Sequence, residues 1–175
     1  MIHKRLSRDI IYQSPWVNLY VDKVVFPDGA IVEKHHYLDF SKESVAVIIE
    51  NHKQEILLIE AYRYITSSVG WEIPAGGIEE GETIIEAAVR ETFEETGYKI
   101  EEPKFIYSYN PSNGISNQVF HIVKAKALSN VHSFDKNEVK SVKWFSVEEI
   151  RGMLDRKEIV DGFSLTGLLL HMMRV

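Results

Sequence analysis

Apolar and polar residues alternate through residues 16–40, WVNLYVDKVVFPDGAIVEKHHYLDF, around Pro27-Asp28-Gly29. This is the pattern of two half-buried strands joined by a hairpin turn. The next segments, SVAVIIE and EILLIEAYR, are nearly continuous apolar runs on either side of a polar turn, as expected of strands covered on both faces. WEIP, PKFIYSYNP, NQVFHIVKAKAL and VKSVKWFSV add further strands. Helical signals interrupt them three times. Thr83 can serve as an N-cap, with Glu86 completing a capping box ahead of Ala87, Ala88 and Val89. Gly97 is placed to end that helix in a left-handed conformation, after which Tyr98 and Ile100 can start a strand. VEEIRGMLDRKE follows Ser146, a second candidate N-cap, and FSLTGLLLHMMRV is a last helical run whose apolar residues are assigned to the core. The expected class is α/β (α+β): a mixed β-sheet sandwiched between helices, with an N-terminal antiparallel β region over residues 1–40. No repeat, low-complexity segment or linker divides the 175 residues, so a single domain is expected.

The chemistry concentrates in residues 76–98, GGIEEGETIIEAAVRETFEETGY. Glu91, Glu94 and Glu95 stand at i, i+3 and i+4 and share one helical face. Like charges at that spacing cost roughly 0.2–0.5 kcal/mol per pair unless a cation compensates them. Hard divalent cations, above all magnesium, take such oxygen ligands together with substrate phosphates. A solvated acidic face is the bland alternative. The surroundings favour the cation: Gly76, Gly77 and Gly81 allow a loop to press its backbone on a ligand, and Arg90 can fix neighbouring carboxylates with its planar fork.

These residues fit the pattern Gly-x5-Glu-x7-Arg-Glu-U-x-Glu-Glu-x-Gly-U, where U is a bulky apolar position, at every residue it names. The chain therefore resembles the Nudix hydrolases. EAYRY and WEIPAGG upstream, and the loop Tyr109-Asn110-Pro111-Ser112-Asn113-Gly114 downstream, make it similar to the ADP-ribose and nucleoside-diphosphate-sugar pyrophosphatase branch. The resemblance implies metal binding by Glu91 and Glu95, helped by Glu94 and the Ala75 carbonyl. It implies buttressing of the loop by Glu82 through Arg90, with Gly76 and Gly97 in structural roles. Substrate contacts are implied for Arg63, Glu72 and Pro111. Asp135-Lys136-Asn137-Glu138 matches an acidic loop from which Glu138 would act as general base, with Glu94 and Glu95 as its catalytic neighbours. Two departures stand out. Thr92 occupies a position where a bulky aliphatic is expected, and Ser116-Asn117-Gln118 replaces a Ser-Asp-Glu-like tripeptide, with the loss of two charges.

Composition narrows the partners. A net charge of -6 argues against a nucleic-acid backbone as the main ligand. No run reaches the roughly 18 apolar residues of a membrane span, and the N-terminal MIHKRLSRDI lacks the apolar core of a signal peptide, so a cytoplasmic location is expected. The absence of cysteine excludes disulfides and thiol chemistry. The expected reaction is Mg2+-dependent hydrolysis of ADP-ribose or a related nucleoside diphosphate sugar, with Mn2+ as an alternative cofactor. Competing readings are another diphosphate substrate, such as GDP-mannose, a dinucleotide or a nucleoside triphosphate, and a non-catalytic sensor of ADP-ribose. The resemblance further implies a homodimer paired through the region before Phe40. Trp16, Tyr20, Phe26 and Tyr37 are candidates to stack on a nucleobase, although aromatic residues at strand spacing are more often core.

Overall fold

A computed structural model describes residues 2–130 and 133–173. The chain divides into two units, Met1–Glu43 with Asn110–Val119, and Ser44–Tyr109 with Phe120–Val175.

The first unit is an antiparallel sheet in the order β1 (Lys4–Tyr12), β2 (Val17–Val25), β3 (Ile31–Phe40). The alternation over residues 16–40 gives β2 and β3, and their turn closes through Phe26 N–H to the Ala30 carbonyl at 2.8 Å, with Gly29 at φ +89°. A positive φ of this kind suits glycine. β1 has no clean alternation, and eight of its nine residues are exposed. Cross-strand chemistry fixes it instead. Arg8 stands opposite Asp22 and donates from Nε and Nη2 to the two carboxylate oxygens, at 2.7 Å each. Its guanidinium lies 4.2 Å from the Tyr20 ring centroid and 5.0 Å from that of Tyr37. Asn117 closes the unit by accepting from Phe40 N–H at 2.8 Å and donating to Asp39 at 2.9 Å. The tripeptide that lost two charges thus supplies a loop-fixing amide.

The second unit is a mixed seven-stranded sheet. Its path is β10 (Val139–Phe145), β5 (Ile56–Arg63), β4 (Ser44–Glu50), β9 (Phe120–Asn130), β8 (Tyr98–Tyr109), with β4 and β9 parallel. β4 has buried side chains on both faces. Val45, Val47 and Ile49 pack with Ala87 and Ala88 of α1 (Ile84–Thr96). Ala46 and Ile48 pack with Ile150 and Met153 of α2 (Val147–Asp155) and with Phe163 and Leu168 of α3 (Gly162–Met172). This period-2 division explains the unbroken apolar runs. The paired alanines let α1 approach the sheet closely. No helix among the described residues is long and apolar enough to cross a membrane.

β4 and β5 pair only at one end, Glu50 opposite Ile56. The gap between them is filled by β6 (Ser68–Glu72), which pairs with β5, and β7 (Ala75–Gly77), which pairs with β4. The WEIP segment therefore changes partner at Ile73-Pro74. Ile73 N–H donates to Ser164 Oγ at 2.9 Å and the Pro74 carbonyl accepts from Val47 N–H at 2.9 Å, so the crossing leaves neither group unpaired. This crossing carries the glycine pair of β7 alongside the second half of α1.

Candidate functional site

The helix starts and stops where its local chemistry dictates. Thr83 Oγ1 accepts from Glu86 N–H, the Glu86 carboxylate accepts from Thr83 N–H at 2.8 Å, and Gly97 sits at φ +72° with its N–H on the Phe93 carbonyl at 2.9 Å. This phase places the three carboxylates in different environments. Glu95 is buried, at 7% exposure. The Glu91 side chain is 12% exposed and that of Glu94 is 54% exposed.

Gly76 explains how Glu91 is seated. A Cβ at that position would lie 2.1–2.2 Å from the Glu91 carboxyl atoms, so the carboxylate occupies the space a side chain would need. Of the three glycines expected to relax the backbone, Gly81 has a positive φ, +85°, whereas Gly76 and Gly77 lie in β7. At Gly76 close approach is the requirement.

Arg90 organises the loop and the helix together. Nε and Nη2 donate to the two oxygens of Glu82 at 2.7 and 2.8 Å, Nη2 also reaches the Gly77 carbonyl at 2.8 Å, and Nη1 donates to Glu91 at 2.7 Å and Glu94 at 3.2 Å. Its acidic partners hold it protonated. Ala75 reaches the site through its N–H, which donates to Glu95 at 2.8 Å. Burial, opposed by that N–H, pushes the Glu95 carboxyl up to about 8, and the charges of Glu91 and Glu138 add to the rise. Burial likewise raises Glu91, while Arg90 pulls it down.

The remaining sequence candidates fall in three places. Arg63, at the end of β5, and Glu72, at the end of β6, form a forked ion pair, with Nε 3.1 Å from each carboxylate oxygen and Nη2 on Oε2. The Glu72 side chain is 7% exposed and that of Arg63 is 46% exposed, so the buried acid aims the more open arginine. Arg63 also acts electrostatically on Glu95. Glu138 is exposed and precedes β10. Its carbonyl accepts from Tyr62 N–H at 3.0 Å, and Asp135 N–H donates to the Glu94 carbonyl at 3.1 Å, which docks the acidic loop on α1. Pro111 belongs to the first unit, at the start of an exposed turn. Of the aromatic candidates, Tyr20 is buried beneath Arg8, Trp16 is 76% exposed, and Phe26 packs edge-on against His3.

Thr92 is fully buried and its hydroxyl has no hydrogen-bond partner among the described residues. The expected aliphatic is thus replaced by a residue of valine-like shape, at the cost of an unsatisfied hydroxyl. Reading the sequence missed Asp161 and Tyr64. Asp161 caps α3, accepting from Ser164 N–H at 2.8 Å, and together with Arg63 and Tyr64 it lines a cleft of about 670 Å³. The signal was an Asp-x-x-Ser spacing just ahead of the last apolar run.

Among the described residues no three acidic or imidazole side chains converge into a ready coordination cluster, and Arg90 is bonded to both Glu91 and Glu94. The donor set nonetheless fits a hard divalent cation. It is all oxygen, one carboxylate is buried next to two other acids, and the Gly76 cradle keeps a second carboxylate against the backbone.

Comparison with known proteins identifies the family. Residues 41–163 match the NUDIX domain family and residues 4–38 match the nucleoside diphosphate sugar hydrolase N-terminal domain. The chain is 30% identical to the methanol dehydrogenase activator of Bacillus methanolicus, covering 90% of this chain and 86% of that protein. It is 26% identical to the ADP-ribose pyrophosphatase of Bacillus subtilis (strain 168), with the same coverage of 90% and 86%. A solved structure described as an ADP compounds hydrolase shares the fold, with a TM-score of 0.85 at 18% identity over 99% of this chain and 94% of that one. The chain belongs to the Nudix family, in its ADP-ribose and nucleoside-diphosphate-sugar branch, and is a Nudix pyrophosphohydrolase.

Proposed function

We propose that this protein hydrolyses the diphosphate bond of ADP-ribose or a related nucleoside diphosphate sugar in the presence of Mg2+, giving a nucleoside monophosphate and a sugar phosphate. The observation that carries this reading is the grouping of Glu91 over Gly76, buried Glu95 and the Arg63–Glu72 pair alongside the second half of α1, with Glu138 in electrostatic reach. Glu91 and Glu95, with Glu94 and the Ala75 carbonyl, would hold the cation, and Mn2+ suits the same oxygen donors. When bound, the cation neutralises diphosphate charge and acidifies water.

The protein's own residues do the rest. Arg63, oriented by Glu72, pairs with a diphosphate oxygen through the part of its fork that Glu72 leaves open. Glu138, on an exposed loop docked on α1, accepts the proton of the attacking water. Water is the nucleophile and no covalent enzyme intermediate forms. Arg90 and Glu82 position Glu91 relative to β7. The protein acts as a homodimer, paired through residues 1–40.

The test is turnover of ADP-ribose, GDP-mannose, UDP-glucose, a dinucleoside polyphosphate and nucleoside triphosphates, each with and without Mg2+, by wild type and by Glu95→Gln. The introduced amide keeps an acceptor for Ala75 N–H and removes the charge. We expect Mg2+-dependent turnover of the diphosphate sugars that falls about a thousandfold in the variant, with no loss of thermal stability. A variant that retains near-normal activity defeats the metal assignment, and turnover of triphosphates alone defeats the substrate class.

A further inference from the structure

The cleft of about 670 Å³ between the β5–β6 turn and the start of α3 holds two side chains, electrostatically coupled to each other, that each keep one polar atom without a hydrogen bond among the described residues. Arg63 gives Nε and Nη2 to Glu72, and its Nη1 has no partner among the described residues. Asp161 uses Oδ2 for both the N–H and the hydroxyl of Ser164, each at 2.8 Å, and its Oδ1 has none among the described residues. Beside Thr66 and Ser68, whose hydroxyls bond each other, the walls carry apolar side chains open to solvent. Tyr64 is 95% exposed, Ile65 93% and Val160 70%.

A cationic donor and an acceptor-only carboxylate joined by apolar walls match one kind of molecule: a ring with C–H faces, hydroxyls at its edge and a phosphate attached. The guanidinium suits the phosphate. Asp161 can only accept, which selects a hydroxyl donor. An exposed tyrosine offers a broad, rigid surface at small entropic cost. Placing large side chains in water at this turn is otherwise unrewarded.

Building on the nucleotide-sugar reading above, we propose that this cleft is a sugar-phosphate subsite, in which Arg63 binds a phosphate oxygen, Asp161 accepts from a sugar hydroxyl, and Tyr64, Ile65 and Val160 cover the ring. The ring is either the terminal sugar or the ribose of the nucleoside, since both carry hydroxyls beside a phosphate.

The experiment is calorimetric binding, in EDTA so that no turnover intervenes, of ADP-ribose and of two analogues, one lacking the hydroxyls of the terminal ribose and one lacking those of the adenosine ribose. Proteins are wild type, Asp161→Ser and Tyr64→Ala. Serine retains the N-cap, so a thermal midpoint close to wild type shows that α3 is intact, and Tyr64 is too exposed for its loss to unfold the chain. We expect Asp161→Ser to weaken ADP-ribose binding about ten- to a hundredfold and Tyr64→Ala about three- to tenfold. The Asp161→Ser penalty should vanish with one of the analogues, because two deletions across one hydrogen bond are not additive. The analogue on which it vanishes names the ring. A penalty that persists on both analogues, or unchanged binding in both variants, overturns the subsite. Wild type that binds with this pattern yet fails to hydrolyse with Mg2+ would defeat the reading in the preceding section alone.

Discussion

Gly76 shows how a single residue can matter through what it lacks. Its φ is not positive, so alanine is acceptable to the backbone there. The three atoms nearest the added carbon all belong to the flexible end of Glu91, 2.1–2.2 Å away. Glu91 would move and the fold would not. Gly76→Ala should therefore cut Mg2+-dependent turnover by about tenfold or more and raise the Mg2+ concentration needed for half-maximal rate, while stability changes by less than about 1 kcal/mol. Kinetics as a function of Mg2+, run beside a thermal melt, check this. Full turnover at the wild-type Mg2+ requirement would show that the cradle does not position Glu91 for catalysis. Arg90 illustrates the converse. Its bonds to Glu82, Gly77, Glu91 and Glu94 make it a hub whose replacement by lysine would retain the charge and lose the fork.

Among the elements, β1 depends on chemistry more than on burial. It is an edge strand whose residues are mostly exposed, and beyond the backbone ladder it is tied to β2 by Arg8 on Asp22, with the guanidinium over Tyr20. The Arg8 hydrogen bonds hold the Asp22 carboxyl below its ordinary value, against the opposing effect of burial. The pair therefore contributes stability that is present above the unfolded carboxylate pKa of about 4 and is lost as pH falls through the lower folded value. Thermal midpoints of wild type and Asp22→Asn should differ most at pH 6 and converge toward pH 3. A gap that stays constant over that range would show that Arg8–Asp22 does not act through charge. The β6–β7 crossing matters in another way: because β4 and β5 separate, the chain can place Glu72 on one strand pair and Gly76 on the other within a single short segment.

For the molecule as a whole, the outward features of the first unit bear on assembly. β1 leaves Leu6, Ile10, Ile11 and Tyr12 about half exposed or more, and Trp16 follows at 76%. An unpaired edge carrying large apolar groups is an interface or a liability. Pairing of two copies through this region is expected to give a dimer in sedimentation at micromolar concentration, and Ile10→Lys with Tyr12→Lys should shift it to monomer. A wild type that sediments as a monomer would remove the assignment of residues 1–40 to pairing.

How much of this was legible in the chain follows from how far apart the interacting residues lie. Spacing alone put Glu91, Glu94 and Glu95 on one face, started the helix at Thr83, ended it at Gly97 and set the Pro27-Asp28-Gly29 turn, because caps, turns and helical phase depend on neighbours within a few positions. Alternation gave β2 and β3, and continuous apolar runs gave β4 and β5. β1 lies inside the β region expected over residues 1–40 but was not delimited as a strand of its own, because Arg8 meets Asp22 only once the sheet has formed. Local order along the chain was enough for the helix, its acidic face and the family. Folding in three dimensions was needed to select which carboxylate is buried, to lay Gly76 under Glu91, to aim Arg63 with Glu72, and to bring Asp161 into one cleft with a turn about a hundred residues earlier. Burial and long-range contact arise from packing elements together, and that information is carried by the whole set of apolar faces at once rather than by any local stretch.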